Sequence, residues 1–295
     1  MKMDGNNVRD VVEYFREVLC DLYDKEEIEN FVYYSFEKFL GFSKTDMVMK
    51  SQQEIDKPVL LKLEIVVEEL KKQKPIQYIL GDTQFYGLHF TVNEHVLIPR
   101  PETEELVDLI VKDVLKERSE YGDKKTTVLD IGTGSGCIAV SLKKHIPGTI
   151  VYALDISESA LLVAKENARI NDVELNFIQS DIHSFTLPDS HDKFDVIVSN
   201  PPYVLHSEKK IMNKNVLDFE PHLALFVSDD DPLLFYRSIL FFAENNLNRK
   251  GKLYFEINEL LGEKIKLMAE ERGFLDVVIK KDLNNKNRIL RCLAN

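Results

Sequence analysis

Thr127-Val-Leu-Asp-Ile-Gly-Thr-Gly-Ser-Gly136 is the stretch on which the fold turns. Val128 to Ile131 reads as a short strand. Glycines follow at once, and Cys137 to Lys144 then carries helical spacing. Glycine is needed where backbone takes positive φ or lies close against a ligand. The helix that follows offers free N–H groups at its amino end. In open α/β sheets, ligands bind beyond the carboxyl ends of the strands, so this turn marks a candidate site as well as a fold.

Working outward, strand and helix patterns alternate. Ile150 to Asp155 reads as a strand and Glu158 to Ile170 as a helix. Leu175 to Gln179 and Val196 to Ser199 read as strands. Leu233 to Asn245 is a helix, Lys252 to Ile257 a strand and Lys264 to Glu271 a helix. Such alternation implies a parallel sheet covered on both faces. Phe274 to Lys280 and Ile289 to Leu293 then close the chain with no helix between them. Only a tight antiparallel connection can join them, so the final strand should run against the rest.

Upstream the pattern changes. From Asn6 to Lys74 it is helical: Val11, Phe15 and Leu19 recur at helix spacing, as do Ile28, Phe31, Val32, Phe36 and Leu40. Gly41 is a C-cap candidate and Ser43 an N-cap for a short helix, with a longer helix from about Glu54 to Lys72. No catalytic cluster lies here, and partner docking is its functional reading. Gln84 to Val92, followed by Val96 to Ile98, reads as a hairpin turning around Asn93-Glu94-His95. The expected division is a helical docking domain over 1–80, a β-hairpin linker over 81–98 and the α/β domain over 99–295.

Bulk properties narrow the class. Lys and Arg number 38 against 50 Asp and Glu, a formal charge of -12. That balance disfavours a phosphate-gripping surface and suits a protein partner of basic charge. Three widely spaced cysteines, Cys20, Cys137 and Cys292, fit neither a disulfide framework nor a metal site. With a polar start and no run of about 20 apolar residues, a soluble cytoplasmic protein with no membrane partner is expected.

Three acids end successive strands. Asp130 precedes the glycines, whose G-x-G-x-G spacing departs from the dinucleotide G-x-G-x-x-G. Asp155 ends the next strand, where a carboxylate can accept both hydroxyls of a ribose. Nicotinamide enzymes place an acid similarly, so Asp155 alone leaves the cofactor open. Asp181 ends the third and could accept from an adenine amino group. A single such Asp is often a helix cap, but three in order resist that assignment.

The fourth strand runs into Asn200-Pro-Pro-Tyr203. Prolines 201 and 202 fix the backbone and remove two donors. Asn200 adds a side-chain acceptor and Tyr203 an aromatic face. The combination suits a planar –NH₂ held for attack, with two acceptors on its N–H bonds and the ring against its face.

Asp130-x-Gly-x-Gly-x-Gly136 together with Asn200-Pro-Pro-Tyr203 resembles the class I methyltransferases of exocyclic and amide nitrogens. Pro75-Ile-Gln-Tyr-Ile-Leu-Gly81, Phe85-Tyr-Gly87, Leu97-Ile-Pro-Arg-Pro-Glu-Thr-Glu104, Phe219-Glu-Pro221, Leu233 to Arg237, and Asp282-Leu with Arg288 are similar to the release-factor glutamine N5-methyltransferases, the PrmC/HemK family. The resemblance covers about Pro75 to Leu293. It implies a seven-stranded Rossmann-like sheet with its last strand antiparallel, behind a small helical domain. The implied cofactor is S-adenosylmethionine, leaving as S-adenosylhomocysteine. Gly132, Thr133, Gly134, Ser135 and Gly136 would line its methionine and ribose, Asp155 would take its ribose hydroxyls, and Asp181 and Ile182 would flank its adenine. Asn200, Pro201, Pro202 and Tyr203 would hold the substrate and do the catalytic work, with Asn200 also near the cofactor and no metal or general base required. The implied substrate is the glutamine of the Gly-Gly-Gln loop of class 1 peptide chain release factors. A ribosomal-protein glutamine, or an adenine N6 in nucleic acid, is the alternative. The chain departs from the family pattern at Asn258, Leu261, Asn285 and Asp230-Asp231-Pro232. These departures are expected to touch local packing and not the loops above, and Asn285 can keep a turn because Asn tolerates positive φ.

Overall fold

In the computed structural model, residues 5–122, 125–187 and 192–295 are described. The chain divides into two compact units. One comprises Met1–Gly81 with Asn213–Phe219, the other Asp82–Met212 with Glu220–Asn295.

The first unit contains α1 (Val8–Leu19), α2 (Lys25–Leu40), α3 (Lys44–Met49), α4 (Lys57–Lys71) and α5 (Ile76–Leu80). Their ends are written in the sequence. Asn7 and Asp10 form a capping box at the start of α1, and Ser43 and Asp46 another at α3. Asp24 caps α2, which stops at Gly41 in the left-handed conformation. The apolar stripes meet in one core around Phe15, Val32, Phe36, Leu63 and Leu70. The long helix starts at Lys57, three residues later than its apolar pattern suggested, because Pro58 occupies its first turn.

The second unit opens with a hairpin of β1 (Asp82–Phe85) and β2 (Leu88–Thr91), paired Phe85 to Leu88. This corrects the sequence reading, which turned the hairpin at Asn93-Glu94-His95. The true turn is Tyr86-Gly87, both with positive φ, 49° and 73°, the requirement of a two-residue hairpin loop. A tyrosine there costs about 1–2 kcal/mol. Burial of Phe85 and Phe90, whose rings meet edge to face, offsets it at about 1.5–3 kcal/mol each. Asn93 does head a turn, accepting from His95 N and Val96 N. The run after it is apolar because Val96 and Ile98 are buried, not because it pairs as a strand. The Ile98 amide donates to the side chain of Glu220 instead.

The α/β part follows: α6 (Pro101–Tyr121), β3 (Thr127–Ile131), α7 (Cys137–His145), β4 (Ile150–Asp155), α8 (Glu158–Ile170), β5 (Asn176–Gln179) and β6 (Phe194–Ser199). After a short strand β7 (Val204–Leu205) come α9 (Lys214–Phe219), which belongs to the first unit, and α10 (His222–Leu225). Then β8 (Phe226–Val227) pairs with β7, followed by α11 (Leu234–Asn246), β9 (Leu247–Glu256), α12 (Gly262–Glu271), β10 (Leu275–Lys281) and β11 (Asn287–Leu293). Seven strands form one sheet in the order β10-β11-β9-β6-β3-β4-β5. Pairing is parallel from β9 through β6 and β3 to β5, and β11 is antiparallel to both its neighbours, as the helix-free ending required. The β10–β11 turn holds Asn285 at φ 62°.

The sheet is buried on both faces. Along β3, Val128 enters one core cluster while Leu129 and Ile131 enter the other, and Tyr254 and Phe255 of β9 divide in the same way. Period-two burial of this kind locks the register. Asp130 on β3 is therefore carried into the interior by its neighbours, and Asp155 and Ser199 end β4 and β6 at one edge.

Candidate functional site

The loop after β3 is pinned before any ligand is considered. Gly132 N and Thr133 N both donate to the Leu154 carbonyl, at 2.8 and 2.9 Å, and Gly136 N closes the turn on Thr133 O at 2.8 Å. All three glycines have positive φ. They do different things. A Cβ on Gly132 or Gly134 would meet nothing within 4 Å, so these two border open space; on Gly136 it would lie 3.0 Å from Ala164 Cβ. The first two leave room for a ligand, and the third lets α7 pack on α8.

Asp130 is fully buried. Its Oδ2 accepts from Thr133 Oγ1 at 2.7 Å, and Oδ1 has no partner of hydrogen-bond geometry. Burial pushes its carboxyl up to about 7, against the pull of Thr133 and the Ala139 amide.

Asp155, 8% exposed, braces the same loop. Its Oδ2 accepts from Gly134 N at 2.8 Å and its Oδ1 from Ser157 N at 2.9 Å. Burial raises the carboxyl above the ordinary carboxylate range, and those amides draw it back. Each oxygen keeps a further acceptor position. Asp181 takes His183 N on Oδ1 at 2.9 Å.

A cavity of about 440 Å³ collects these groups, within the size range of small-molecule sites. Gly132, Thr133, Gly134, Ser135, Asp155, Asp181, Ile182, Asn200, Pro201 and Pro202 all line it. Gly136 and Tyr203 do not appear on that wall. Gly136 serves packing. Tyr203 turns its hydroxyl onto Glu256 Oε1 at 3.0 Å, and burial first, then Glu256, raises its pKa.

Asn200 reaches the cavity with its amide already engaged: Nδ2 donates to Thr103 Oγ1 at 3.3 Å. Thr103 in turn donates to Glu256 Oε2 at 2.6 Å. Glu256 is 1% exposed, and its backbone carbonyl accepts from Tyr236 at 3.2 Å. Asn258 Nδ2 donates to the Tyr203 carbonyl at 3.1 Å. Asn258 therefore touches the Asn-Pro-Pro-Tyr loop directly, contrary to the expectation that the departures from the family pattern leave the loops alone. Ser199 ties β6 to β3 through the Ile131 carbonyl at 2.7 Å.

Residues that motif reading passed over complete the frame. Asn167, fully buried on α8, donates to Thr91 O at 2.9 Å and Ser135 O at 2.8 Å and accepts from Thr91 N at 2.6 Å. It clamps the glycine loop to the hairpin. Nothing in its helical context announced this; a buried Asn shows its function only once its partners are known. Arg100 pairs with buried Glu220 at 2.6 Å. Thr103, Arg100, Glu220 and Glu256 all lay in motifs quoted for the family resemblance or beside them, and spacing alone assigned them no role. Among the described residues, no group of three or more His, Cys, Asp or Glu is arranged to hold a metal ion, and no helix is long and apolar enough to cross a membrane.

Comparison with known proteins agrees in both parts of the chain. Residues 108–221 match the methyltransferase small domain and residues 10–81 the PrmC N-terminal domain. A release factor glutamine methyltransferase of Flavobacterium psychrophilum is 49% identical over 277 residues, 94% of this chain and 95% of that protein. One of Bacteroides thetaiotaomicron is 44% identical over 280 residues, 95% and 98% of the two. One of Streptococcus pneumoniae is 43% identical over 250 residues, 84% of each.

The Asn167 clamp yields a stability prediction. Removing it leaves the buried Ser135 carbonyl without a partner, at about 1–3 kcal/mol, and frees the part-buried backbone groups of Thr91 at a smaller cost. Asn167→Ala should therefore lower the stability of the second unit by about 2–5 kcal/mol, read as a fall in its thermal midpoint. An unchanged midpoint would show that the clamp carries no weight.

Proposed function

The chain belongs to the release factor glutamine methyltransferase family, and from that premise we propose that it methylates the side-chain amide nitrogen, N5, of the glutamine in the Gly-Gly-Gln motif of class 1 peptide chain release factors. One observation carries the reading: Asn200, with its Nδ2 committed to Thr103, opens on the same cavity as the glycine loop and Asp155.

The cavity suits S-adenosylmethionine on its own chemistry. Open space beside Gly132 and Gly134 admits a ligand against the backbone. Asp155 keeps acceptor positions for a ribose, and Asp181 with Ile182 offers a polar edge and an apolar wall for an adenine. Asp155 and Asp181 give the cavity wall a negative bias toward a cationic cofactor. When bound, S-adenosylmethionine supplies an electrophilic methyl group on a sulfonium. Asp155→Ala should weaken S-adenosylhomocysteine binding by about 1.5–3 kcal/mol, the scale of a charge-assisted pair. Calorimetry checks this, with the melting point measured alongside because Asp155 also braces the loop. An unchanged dissociation constant in the folded variant would remove Asp155 from the ribose site.

An amide nitrogen is a poor nucleophile because its lone pair is delocalised, so alignment must do most of the catalytic work. Asn200 Oδ1 accepts one N–H of the target amide and the Pro201 carbonyl the other. Both bonds strengthen as positive charge develops on nitrogen. Pro201 and Pro202 hold the acceptors still, and Tyr203 anchors the far end of the loop through Glu256. Its hydroxyl bond supports this anchoring role beside the stacking role expected from sequence. No side chain needs to remove a proton before transfer; the surplus N–H proton is lost to water after the methyl group is on nitrogen. Losing one preorganised partner of this kind costs about 2.7–4 kcal/mol, or roughly 100- to 1000-fold. Asn200→Ala should slow methylation of a release factor on that scale and leave cofactor affinity nearly as it was. Near-normal turnover would defeat the mechanism.

The helical unit is the proposed docking surface for the protein substrate, in the cytoplasm where translation ends. Leu61 and Ile65 lie one turn apart on α4, 51% and 61% exposed, and exposed apolar patches mark interaction sites. Replacing both with serine should raise KM for intact release factor while kcat holds. A KM equal to that of the unaltered enzyme would argue against docking there.

A further inference from the structure

We infer that Thr103 and Glu256 are positioning residues that set which end of the Asn200 side-chain amide faces the substrate. The inference rests on the acceptor role of Asn200 proposed above and adds the device that enforces it.

An asparagine side chain has two ends of similar shape and opposite hydrogen-bonding sense. Turning the amide over swaps an oxygen for an –NH₂ in the same place. For a reaction on a substrate –NH₂ the two orientations are not equivalent. With Oδ1 toward the cavity, Asn200 accepts a substrate N–H. With Nδ2 there, donor faces donor and the nucleophile is repelled. The backbone of Asn-Pro-Pro-Tyr cannot choose between them, because the turn is about a side-chain bond. A neighbour must choose.

Thr103 is that neighbour, and by itself it is ambiguous, since a hydroxyl both donates and accepts. Glu256 removes the ambiguity. Both of its oxygens accept: Oε1 takes the Tyr203 hydroxyl at 3.0 Å, and Oε2 takes the single Thr103 proton at 2.6 Å. The hydroxyl has only lone pairs left for Asn200. It can therefore bond Nδ2, as it does at 3.3 Å, and cannot bond Oδ1. The acceptor end is left for the cavity.

The cost of the arrangement supports its purpose. Glu256 is 1% exposed, and burying a carboxylate is expensive unless it is well hydrogen-bonded. Its two oxygens are spent at the two ends of one loop, on Thr103 for Asn200 and on Tyr203 directly. Thr103 is also buried, 2% exposed, in the first turn of α6. Neither lines the loop they control by sequence proximity: 97 residues separate Thr103 from Asn200 and 53 separate Tyr203 from Glu256.

The test is a double-mutant cycle on the full-length enzyme, with a purified release factor as substrate. Kcat and KM are measured for Asn200→Ala, Thr103→Val and the double variant. Thr103→Ser is the rescue, and S-adenosylhomocysteine affinity and melting point are read for each. Thr103→Val should lower kcat by about tenfold or more while cofactor affinity stays within about twofold, and Thr103→Ser should recover most of the loss. In the double variant the losses should not multiply: its kcat should match that of Asn200→Ala within about twofold, because Thr103 acts only through Asn200. Thr103→Ala supplies the same comparison should the valine disturb folding. Unimpaired turnover in Thr103→Val beside an impaired Asn200→Ala would overturn the inference and leave the catalytic reading standing, as would losses that multiply in the double variant. Normal turnover in Asn200→Ala would instead overturn the catalytic reading, and this inference with it.

Discussion

Parallel pairing of β3 with β4 and β6 is the constraint on which the rest depends. It brings the carboxyl ends of three strands to one edge, where their loops have no further strand to satisfy them. The Leu154 carbonyl takes two amides of the glycine loop, Asp155 takes a third, and Ser199 bonds back to Ile131. Each loop is held by the strand beside it. The cavity follows from that edge, and the chemistry follows from which side chains the edge carries. The antiparallel β11 adds to this by pairing along β9, the strand whose last residue is Glu256.

Much of the fold was legible because it rests on local rules. Alternating strand and helix patterns with period-two burial give a two-sided parallel sheet, and a final pair without a helix must be antiparallel. Helix ends were readable where Asn7, Ser43 and Gly41 provide caps. The hairpin was misread because its segment keeps an apolar rhythm through Val92 to Ile98, while the deciding signal was the pair Tyr86-Gly87. A tyrosine is an unusual occupant of a positive-φ turn, and only the burial on either side makes it tolerable.

The site divides in the same way. Residues in the glycine loop and at the strand ends could be named from sequence because they lie in runs with a spacing. The ones that brace them could not. Asn167, Thr103, Glu220 and Glu256 act across separations of 32 to 153 residues, and hydrogen-bonding partners that far apart leave no periodicity. Asn258 is a particular case. Seen as a departure from a family pattern it suggested altered packing, yet its side chain holds the Tyr203 carbonyl. Tyr203 likewise carries the hydroxyl that anchors the loop as well as the ring that drew notice first.

On the mechanism proposed here, the enzyme works with neutral acceptors held still, supported from behind by the buried Glu256. The most direct measurement is peptide mass mapping of a purified class 1 release factor after incubation with the full-length protein and S-adenosylmethionine. The predicted result is one added methyl group, on the side-chain nitrogen of the Gly-Gly-Gln glutamine. A release factor left unmodified, while a glutamine in another protein or an adenine in nucleic acid takes the methyl group, would contradict it.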